Sequence, residues 1–296
     1  MAKLLLFDAY SLIYRAFYAI RELTGPAGQP VNAVYGFTRM VRKLIADQRP
    51  THAAVVFDLG APQYRLALLP SYKEHRPPTP PALDAQVPMI REILAALRVP
   101  VVELNGEEAD DIIAALAVQA ARAGAEALIV SNDKDFTQIV SDRIGLVRPD
   151  SKETGICGPT GVQARYGVRP DQMLDYLCLL GDAVDNIPGV RGIGEKTAVE
   201  LLRQFQTVDN LLAHADTIIK PKLRETILTS ADQLRANRAL IALRCEIELP
   251  CRWETLTVQS PDLVRLTPLL RQCGFKSLLA ELERESQQTG DLFGSR

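Results

Sequence analysis

Leu4-Leu5-Leu6-Phe7-Asp8, Ala53-Ala54-Val55-Val56-Phe57-Asp58 and Ala127-Leu128-Ile129-Val130-Ser131-Asn132-Asp133 are three apolar runs that each end in aspartate, and Asp135 follows the third. Runs this short and apolar read as strands buried on both faces, the habit of a parallel sheet. In open α/β sheets ligands bind at the carboxyl ends of strands, so these acids are expected to converge on one edge. Like charges held that close need a cation, and carboxylate oxygens suit Mg²⁺ or Mn²⁺. The first expectation is a metal-dependent enzyme.

Around these runs the apolar spacing is helical, over residues 10–20, 34–47, 83–97 and 108–123. Weaker strands at 101–104 and 144–147 bring the expected sheet to five. Strand and helix in alternation predict an α/β fold, a central parallel sheet with helices on both faces. From about residue 159 the spacing is helical almost to the C-terminus, with stops at Gly167, Pro170, Pro188, Gly189, Pro221, Pro250 and Pro261. The expected organisation is an α/β core over 1–158, a helical subdomain over 159–285 and a disordered tail over 286–296.

Composition narrows the class. The 296 residues carry a formal net charge of −2. Nine acids are candidate ligands: Asp8, Asp58, Glu108, Asp110, Asp111, Asp133, Asp135, Asp182 and Asp185. Setting those nine aside leaves 27 acidic against 34 basic residues, a balance of +7, so the total charge does not exclude a phosphate-rich substrate. The five cysteines, Cys157, Cys178, Cys245, Cys251 and Cys273, form no C-x-x-C pair and are odd in number, which fits a reducing cytoplasm. Asp8 interrupts the signal-like start, and no eighteen-residue apolar run exists to span a membrane.

Two segments break the alternation. Pro70-Ser71-Tyr72-Lys73-Glu74-His75-Arg76-Pro77-Pro78-Thr79-Pro80-Pro81 is too proline-rich for a regular element. It predicts a mobile loop or arch, over about 70–85, that holds Lys73 and Arg76 above the carboxylates. The second runs from Gly181-Asp182 through Asp185 to Gly189, Gly192, Gly194, Lys196 and Thr197, between helical stretches. Its glycines allow a tight hairpin that presents backbone N–H groups, and a helix starting near Glu195 points its positive end the same way. That geometry cradles a phosphate, without regard to base sequence. In Glu107-Glu108-Ala109-Asp110-Asp111 the acids open a helix, with Glu108 and Asp111 sharing a face. Asp133 and Asp135 either point the same way along extended chain or form an Asx turn.

Asp8, Ala33-Val34-Tyr35-Gly36-Phe37, Val56-Phe57-Asp58, Tyr72-Lys73 with Arg76, Glu108-Ala109-Asp110-Asp111, Asn132-Asp133-Lys134-Asp135 and Gly181-Asp182 through Lys196-Thr197 stand in this order along the chain. The ordered set resembles the bacterial 5′-nuclease family, which includes the 5′-to-3′ exonuclease domain of DNA polymerase I and the flap endonucleases. The likeness covers about residues 3–285. It implies a PIN-like core followed by a helix-hairpin-helix subdomain, in a monomer that acts on DNA with 5′ ends, flaps or nicks, and on RNA primers. It also implies two Mg²⁺ ions, replaceable by Mn²⁺, on the nine acids, one activating a water and the other stabilising the departing 3′-oxygen. By the same resemblance Lys73 and Arg76 grip the scissile phosphate, and the hairpin at 189–196 holds duplex DNA, with K⁺ on its carbonyls. Tyr72 either stacks on a base or is an ordinary packed aromatic.

The sequence departs from the family at Glu107, Ala9 and Val184, where an aromatic residue, glycine and serine are common. None of the three is an expected ligand. No polymerase sequence follows, so the expectation is a free-standing nuclease or one working beside a separate polymerase. The end of the chain, with Asp291, Leu292 and Phe293, is similar to peptides that dock in a bacterial sliding clamp. The rival function is a catalytically weak scaffold that only binds branched DNA, which would keep the hairpin and lose ligands.

Overall fold

A computed structural model describes residues 1–149 and 155–293, with side chains of the last helix described as far as Arg284. The first part of the chain forms β1 (Lys3–Asp8), α1 (Ala9–Ala19), α2 (Asn32–Gln48), β2 (His52–Val56), α3 (Gln63–Leu68), α4 (Pro81–Asp84), α5 (Val87–Ala96), β3 (Val101–Val102), α6 (Ala109–Arg122), β4 (Glu126–Val130) and β5 (Ile144–Val147). The sheet order is β3-β2-β1-β4-β5 and every pairing is parallel. These are the five expected strands. Leu4, Leu5, Leu6 and Phe7 are all fully buried, so β1 has no wet face and takes the centre.

Alternate residues of the strands feed two cores. Leu5, Phe7, Val55 and Phe57 pack on the side of α1, α2 and α5, while Leu4, Leu6, Ala54 and Val56 pack on the side of α6. Asp8 stands opposite Val56, and Phe7 opposite Val130, so the three central strands end level with one another. The helix expected over 83–97 is instead two, because Pro88 sits at the first turn of α5 and starts a helix of its own.

The second part forms α7 (Pro159–Tyr166), α8 (Met173–Leu180), a two-stranded hairpin of β6 (Gly181–Asp182) and β7 (Ile187–Pro188), α9 (Glu195–Phe205), α10 (Val208–Ala213), α11 (Pro221–Thr229) and α12 (Ala231–Ile241). Their apolar faces join the core on the α6 side of the sheet. The chain then returns along β2, where the Ala53 amide donates to the Leu256 carbonyl at 2.8 Å and the Val258 amide to that of Thr51 at 3.0 Å. It ends with α13 (Leu263–Gln272) and α14 (Lys276–Phe293). Leu266, Leu270, Phe275, Leu278 and Leu282 bury themselves with α1, α2 and α5. The end of the expected helical subdomain, from Leu263 on, therefore belongs to the α/β core. Helical spacing shows that a face is apolar, not which body covers it.

The tail expected from residue 286 is helical as far as Phe293, since no glycine or proline interrupts the sequence from Lys276 to Thr289. Gly294, Ser295 and Arg296, and the side chains of Asp291, Leu292 and Phe293 on which the clamp reading rests, lie outside the described residues.

Candidate functional site

Asp8 closes β1 and caps α1: one carboxylate oxygen accepts from the Ser11 amide at 3.2 Å, the other from the Ser131 hydroxyl at 2.6 Å. Asp58, two residues past β2, accepts from the Ala109 amide at 2.9 Å and so caps α6 from across the sheet edge. That bond fixes the first turn of α6, and with it Glu108 and Asp110. Asp133 accepts from the Asp135 amide at 2.8 Å, which is the Asx-turn alternative, and leads into a 3₁₀ turn over Asp135–Ile139. Asp8, Asp58, Asp110 and Asp133 line one open cavity of about 420 Å³, with Tyr10, Ser11, Tyr14, Lys73, Arg76, Pro77 and Val184.

Burial and crowding act on these acids in the same direction. Asp8 is pushed up to about 7, first by burial and then by the charges of Asp133 and Asp58, against the pull of its bonds to Ser131 and Ser11. Asp110 is raised well above the ordinary carboxylate range by burial, Asp133 and Asp8. Asp135 rises to about 8 through burial and the charge of Asp133, and its Oδ1 is buried without a hydrogen-bond partner. Carboxyl groups that hold protons this tightly are those that a divalent cation would relieve. The donor set is entirely oxygen, so the residues fit a hard ion such as Mg²⁺.

A second acidic pair is formed by Asp182, the last residue of β6, and Asp185, in the turn that leads to β7. Asp182 accepts from the amides of Val184 at 2.8 Å and Asp185 at 3.3 Å, and from Lys134 Nζ at 2.6 Å. Burial would raise its pKa, but these bonds outweigh burial and lower it. Asp185 accepts from the Tyr72 hydroxyl at 2.9 Å and from Arg76 Nη2 at 2.5 Å. Lys73 donates to Glu108 and stands 4.0 Å from Asp185.

The segment expected as a mobile arch is therefore pinned. The Lys73 amide donates to the Asp185 carbonyl at 3.2 Å and Asn186 Nδ2 to that of Ser71 at 2.9 Å. Tyr72 is 6% exposed, with its hydroxyl also 3.3 Å from both Glu108 oxygens. That is the packed alternative for this ring, and it offers no face to a base in this arrangement.

Not every expected ligand reaches the cavity. Asp111 is fully buried, its two oxygens held by Arg65 Nη1 and Nη2 at 2.5 and 3.0 Å and one of them also by the Arg244 amide at 2.9 Å. Its reading as a ligand gives way to that of an anchor for Arg65. Glu108 shares that arginine, at 2.5 Å. Among the described residues no three acids stand close enough to grip one ion as placed, and Glu108 and Asp185 would have to leave their cations to do so. Arg65 was not legible in the sequence, because α3 is a six-residue helix without a clear apolar face. It also donates to the carbonyls of Leu240 at 2.9 Å and Ala242 at 3.3 Å, tying the acid helix to the end of α12.

The hairpin is built from backbone. Gly181 has φ +72°, and a Cβ there would strike Gly189 N and the Ile187 carbonyl. A Cβ on Gly189 would strike the Leu180 carbonyl, so this glycine serves close approach inside the hairpin. Gly192, with φ +80°, and Gly194 have open space instead. Gly194 is the N-cap of α9, so the free amides of the first turn point outward beside exposed Lys196 and half-buried Thr197. From α12, Asn237 donates to the Pro188 carbonyl at 2.8 Å and Gln233 to that of Gly189 at 3.0 Å, two supports that no sequence motif announced.

Residues 3–167 match the family model "5′-3′ exonuclease, N-terminal resolvase-like domain", and residues 168–263 match "5′-3′ exonuclease, C-terminal SAM fold". The chain belongs to the 5′-3′ exonuclease family. DNA polymerase I of Bacillus caldotenax is 41% identical over 291 residues, 97% of this chain and 33% of that protein. The chain thus spans about a third of the length of the DNA polymerase I relatives it matches. A 5′-3′ exonuclease of Aquifex aeolicus is 36% identical over 288 residues, 97% of this chain and 98% of that one. Among solved structures, a variant of the T5 D15 flap endonuclease, captured as a pseudo-enzyme-product complex with DNA and metal ions, superposes with a TM-score of 0.69 at 22% identity, covering 82% of this chain and 89% of that one. At that identity the likeness shows the exonuclease fold alone. Among the described residues no helix is long and apolar enough to cross a membrane.

Proposed function

We propose that the chain is a structure-specific 5′-3′ exonuclease and 5′-flap endonuclease that hydrolyses DNA phosphodiesters. The observation that carries this reading is the meeting of Asp8, Asp58, Asp110 and Asp133 in one cavity with Lys73 and Arg76 on its rim. Two divalent ions, Mg²⁺ or in its place Mn²⁺, would supply the activated water and stabilise the leaving 3′-oxygen when bound to the strand-end acids and to Asp135, Asp182 and Asp185.

The chain's own side chains do the rest. Lys73 and Arg76, now paired with Glu108 and Asp185, would turn to the scissile phosphate and stabilise its growing charge. The outward amides of α9, with Gly192, Gly194, Lys196 and Thr197, would hold the duplex by its backbone, so binding is blind to base sequence and falls with salt. A K⁺ ion at the hairpin belongs to the same proposal, on carbonyls other than those of Pro188 and Gly189, which already accept hydrogen bonds. RNA-primer removal and repair in the cytoplasm, by a monomer recruited to a sliding clamp through its C-terminus, complete the reading.

The rival, a scaffold that binds branched DNA without cutting it, finds no support in the acid set. The test is cleavage of a 5′-labelled flap duplex in Mg²⁺, against chelator and against Asp133→Ala. The expected result is cleavage lost in both controls while the variant still binds. Cleavage that persists in EDTA would reject the metal mechanism, and binding without any cleavage by the unaltered chain would favour the scaffold.

A further inference from the structure

Ala53 and Asp58 stand at opposite ends of one stretch of chain, β2 and the residues that follow it. Asp58 lines the carboxylate cavity. Ala53, at the other end and about 16 Å away by the rise of a strand, lines a separate cavity of about 280 Å³. Ile45, Ala46, Leu97, Val99 and Val258 close round it, and no acid or aromatic ring is among its walls.

A cationic groove of about 410 Å³ adjoins this pocket, between α2 and α14, and shares Arg42 and Ala46 with it. Arg39, Arg42, Lys43 and Ala46 follow one another at helical spacing on one face of α2, so three cations lead up to the pocket mouth. With Arg284 from α14 they set four positive charges against two negative ones, Asp47 and Glu281. Lys43 is paired with Asp47, and Arg42 with Glu281 at 3.3 Å. Arg39 and Arg284 are exposed and pair with no acid among the described residues. On the far side of the pocket Arg98 is half exposed, and its nearest acid, Asp262, is 4.0 Å away.

The two halves call for different chemistry in one ligand. A nucleic-acid backbone would satisfy the cations, but an aliphatic pocket offers its bases no ring to stack on. A small apolar molecule would fill the pocket and leave the groove unused. An acidic stretch of protein with one large apolar side chain uses both, an anchor in a pocket beside a charged rim, which is the usual layout of a docking site.

We propose that this face binds an acidic segment of a partner protein, which inserts one bulky apolar side chain among Ala53, Leu97 and Val258 and lays its carboxylates between α2 and α14. Because the pocket and the strand-end acids lie at opposite ends of β2, the partner can be held without covering the acids. The docking does not depend on what the acids do.

The probe is a fluorescein-labelled synthetic peptide, Asp-Glu-Asp-Gly-Phe-Gly-Asp-Glu-Asp, nearly symmetric so that either chain direction is served. One control peptide replaces the phenylalanine with serine, and the other replaces the acids with their amides. Fluorescence anisotropy with the full chain should show saturable binding of the first peptide, weaker by about tenfold for the serine control and weakening as salt rises. Ala46→Trp, at an exposed position of α2, fills the pocket mouth and should abolish the advantage of phenylalanine over serine. Arg39→Gln with Arg284→Gln should abolish most of the advantage of acids over amides and keep that of phenylalanine. No binding of the first peptide, equal affinity for all three, or variants that leave the pattern unchanged overturns the proposal. So does a chain that binds no peptide but loses affinity for a flap duplex when Arg39 and Arg284 are replaced, since the groove would then belong to DNA.

Discussion

Asp8 is 6% exposed and carries a carboxyl pushed up to about 7, whereas Gly192 and Gly194 have nothing but open space where a side chain would stand. The two regions of this molecule proposed to meet substrate are built on opposite terms. At the strand edge, function comes from side chains brought from distant parts of the chain and crowded against their own repulsion. Several of the acids there lean on a partner: Asp8 on Ser131, and Glu108 on Arg65 and Lys73. At the hairpin, the proposed grip on DNA comes from backbone amides, and the side chains mainly stay out of the way. The difference teaches where single substitutions should be severe and where they should be graded.

The largest effect is expected at Arg65. Replacing it with methionine leaves buried Asp111 without its cation and Glu108 with Lys73 alone, and breaking a buried ion pair in this way costs about 3–5 kcal/mol. Arg65→Met should show that loss in chemical denaturation, and adding Asp111→Leu should recover part of it, because the stranded charge is removed as well. An Arg65→Met variant as stable as the parent would mean that the edge does not depend on this partner. The crowded strand edge would then hold its acids without help from a buried cation.

Next comes Lys73, which is proposed to act on the scissile phosphate rather than to hold up the fold. Its ammonium is partly buried and its pKa is raised, burial opposing and the charges of Glu108 and Asp185 prevailing, so it stays charged through the neutral range. Lys73→Ala should lower kcat by about 10²–10³, the usual loss for one preorganised donor at a developing charge, with KM little changed. An equal change in both parameters would move Lys73 from the reacting phosphate to general substrate binding.

These two residues also show what the sequence could and could not tell. Lys73 stands in a motif, Tyr72-Lys73 with Arg76, and the three central strands with the aspartates that follow them were readable because a buried parallel strand leaves a short, continuous apolar run. Arg65 carries no such mark. Its partners lie 43 and 46 positions away in sequence at Glu108 and Asp111, and its other contacts, Leu240 and Ala242, lie further still. The same blindness to tertiary partners placed Asp111 among the ligands and α13 and α14 in the wrong body. Tyr72 was legible as two alternatives, and only its burial against Glu108 and Asp185 separates them.

Gly189→Ala probes the hairpin's interior, the one place where that region resembles the crowded edge. The new methyl would meet the Leu180 carbonyl, and backbone cannot yield as a flexible side chain does. A loss of about 1–3 kcal/mol in stability is expected for such overpacking, together with weaker duplex binding. Gly192→Ala lacks the clash but must hold φ +80°, so it should cost less. If Gly192→Ala proved the costlier of the two, the hairpin would depend on its outer turn rather than on its close inner approach.

Lys196 is the mildest test and the one that best separates the two regions. It is exposed, pairs with no acid among the described contacts, and sits in the first turn of α9 beside amides that would bind the same phosphate backbone. Lys196→Ala removes one charge and leaves those amides in place, so the affinity for duplex should fall by a few-fold while kcat at saturating substrate stays as it was. Because one fewer counterion is released on binding, the slope of log affinity against log salt should become shallower by about one. A loss of affinity without a change in that slope would mean that the lysine shapes the hairpin rather than meeting a phosphate. The hairpin would then depend on its side chains as the strand edge does.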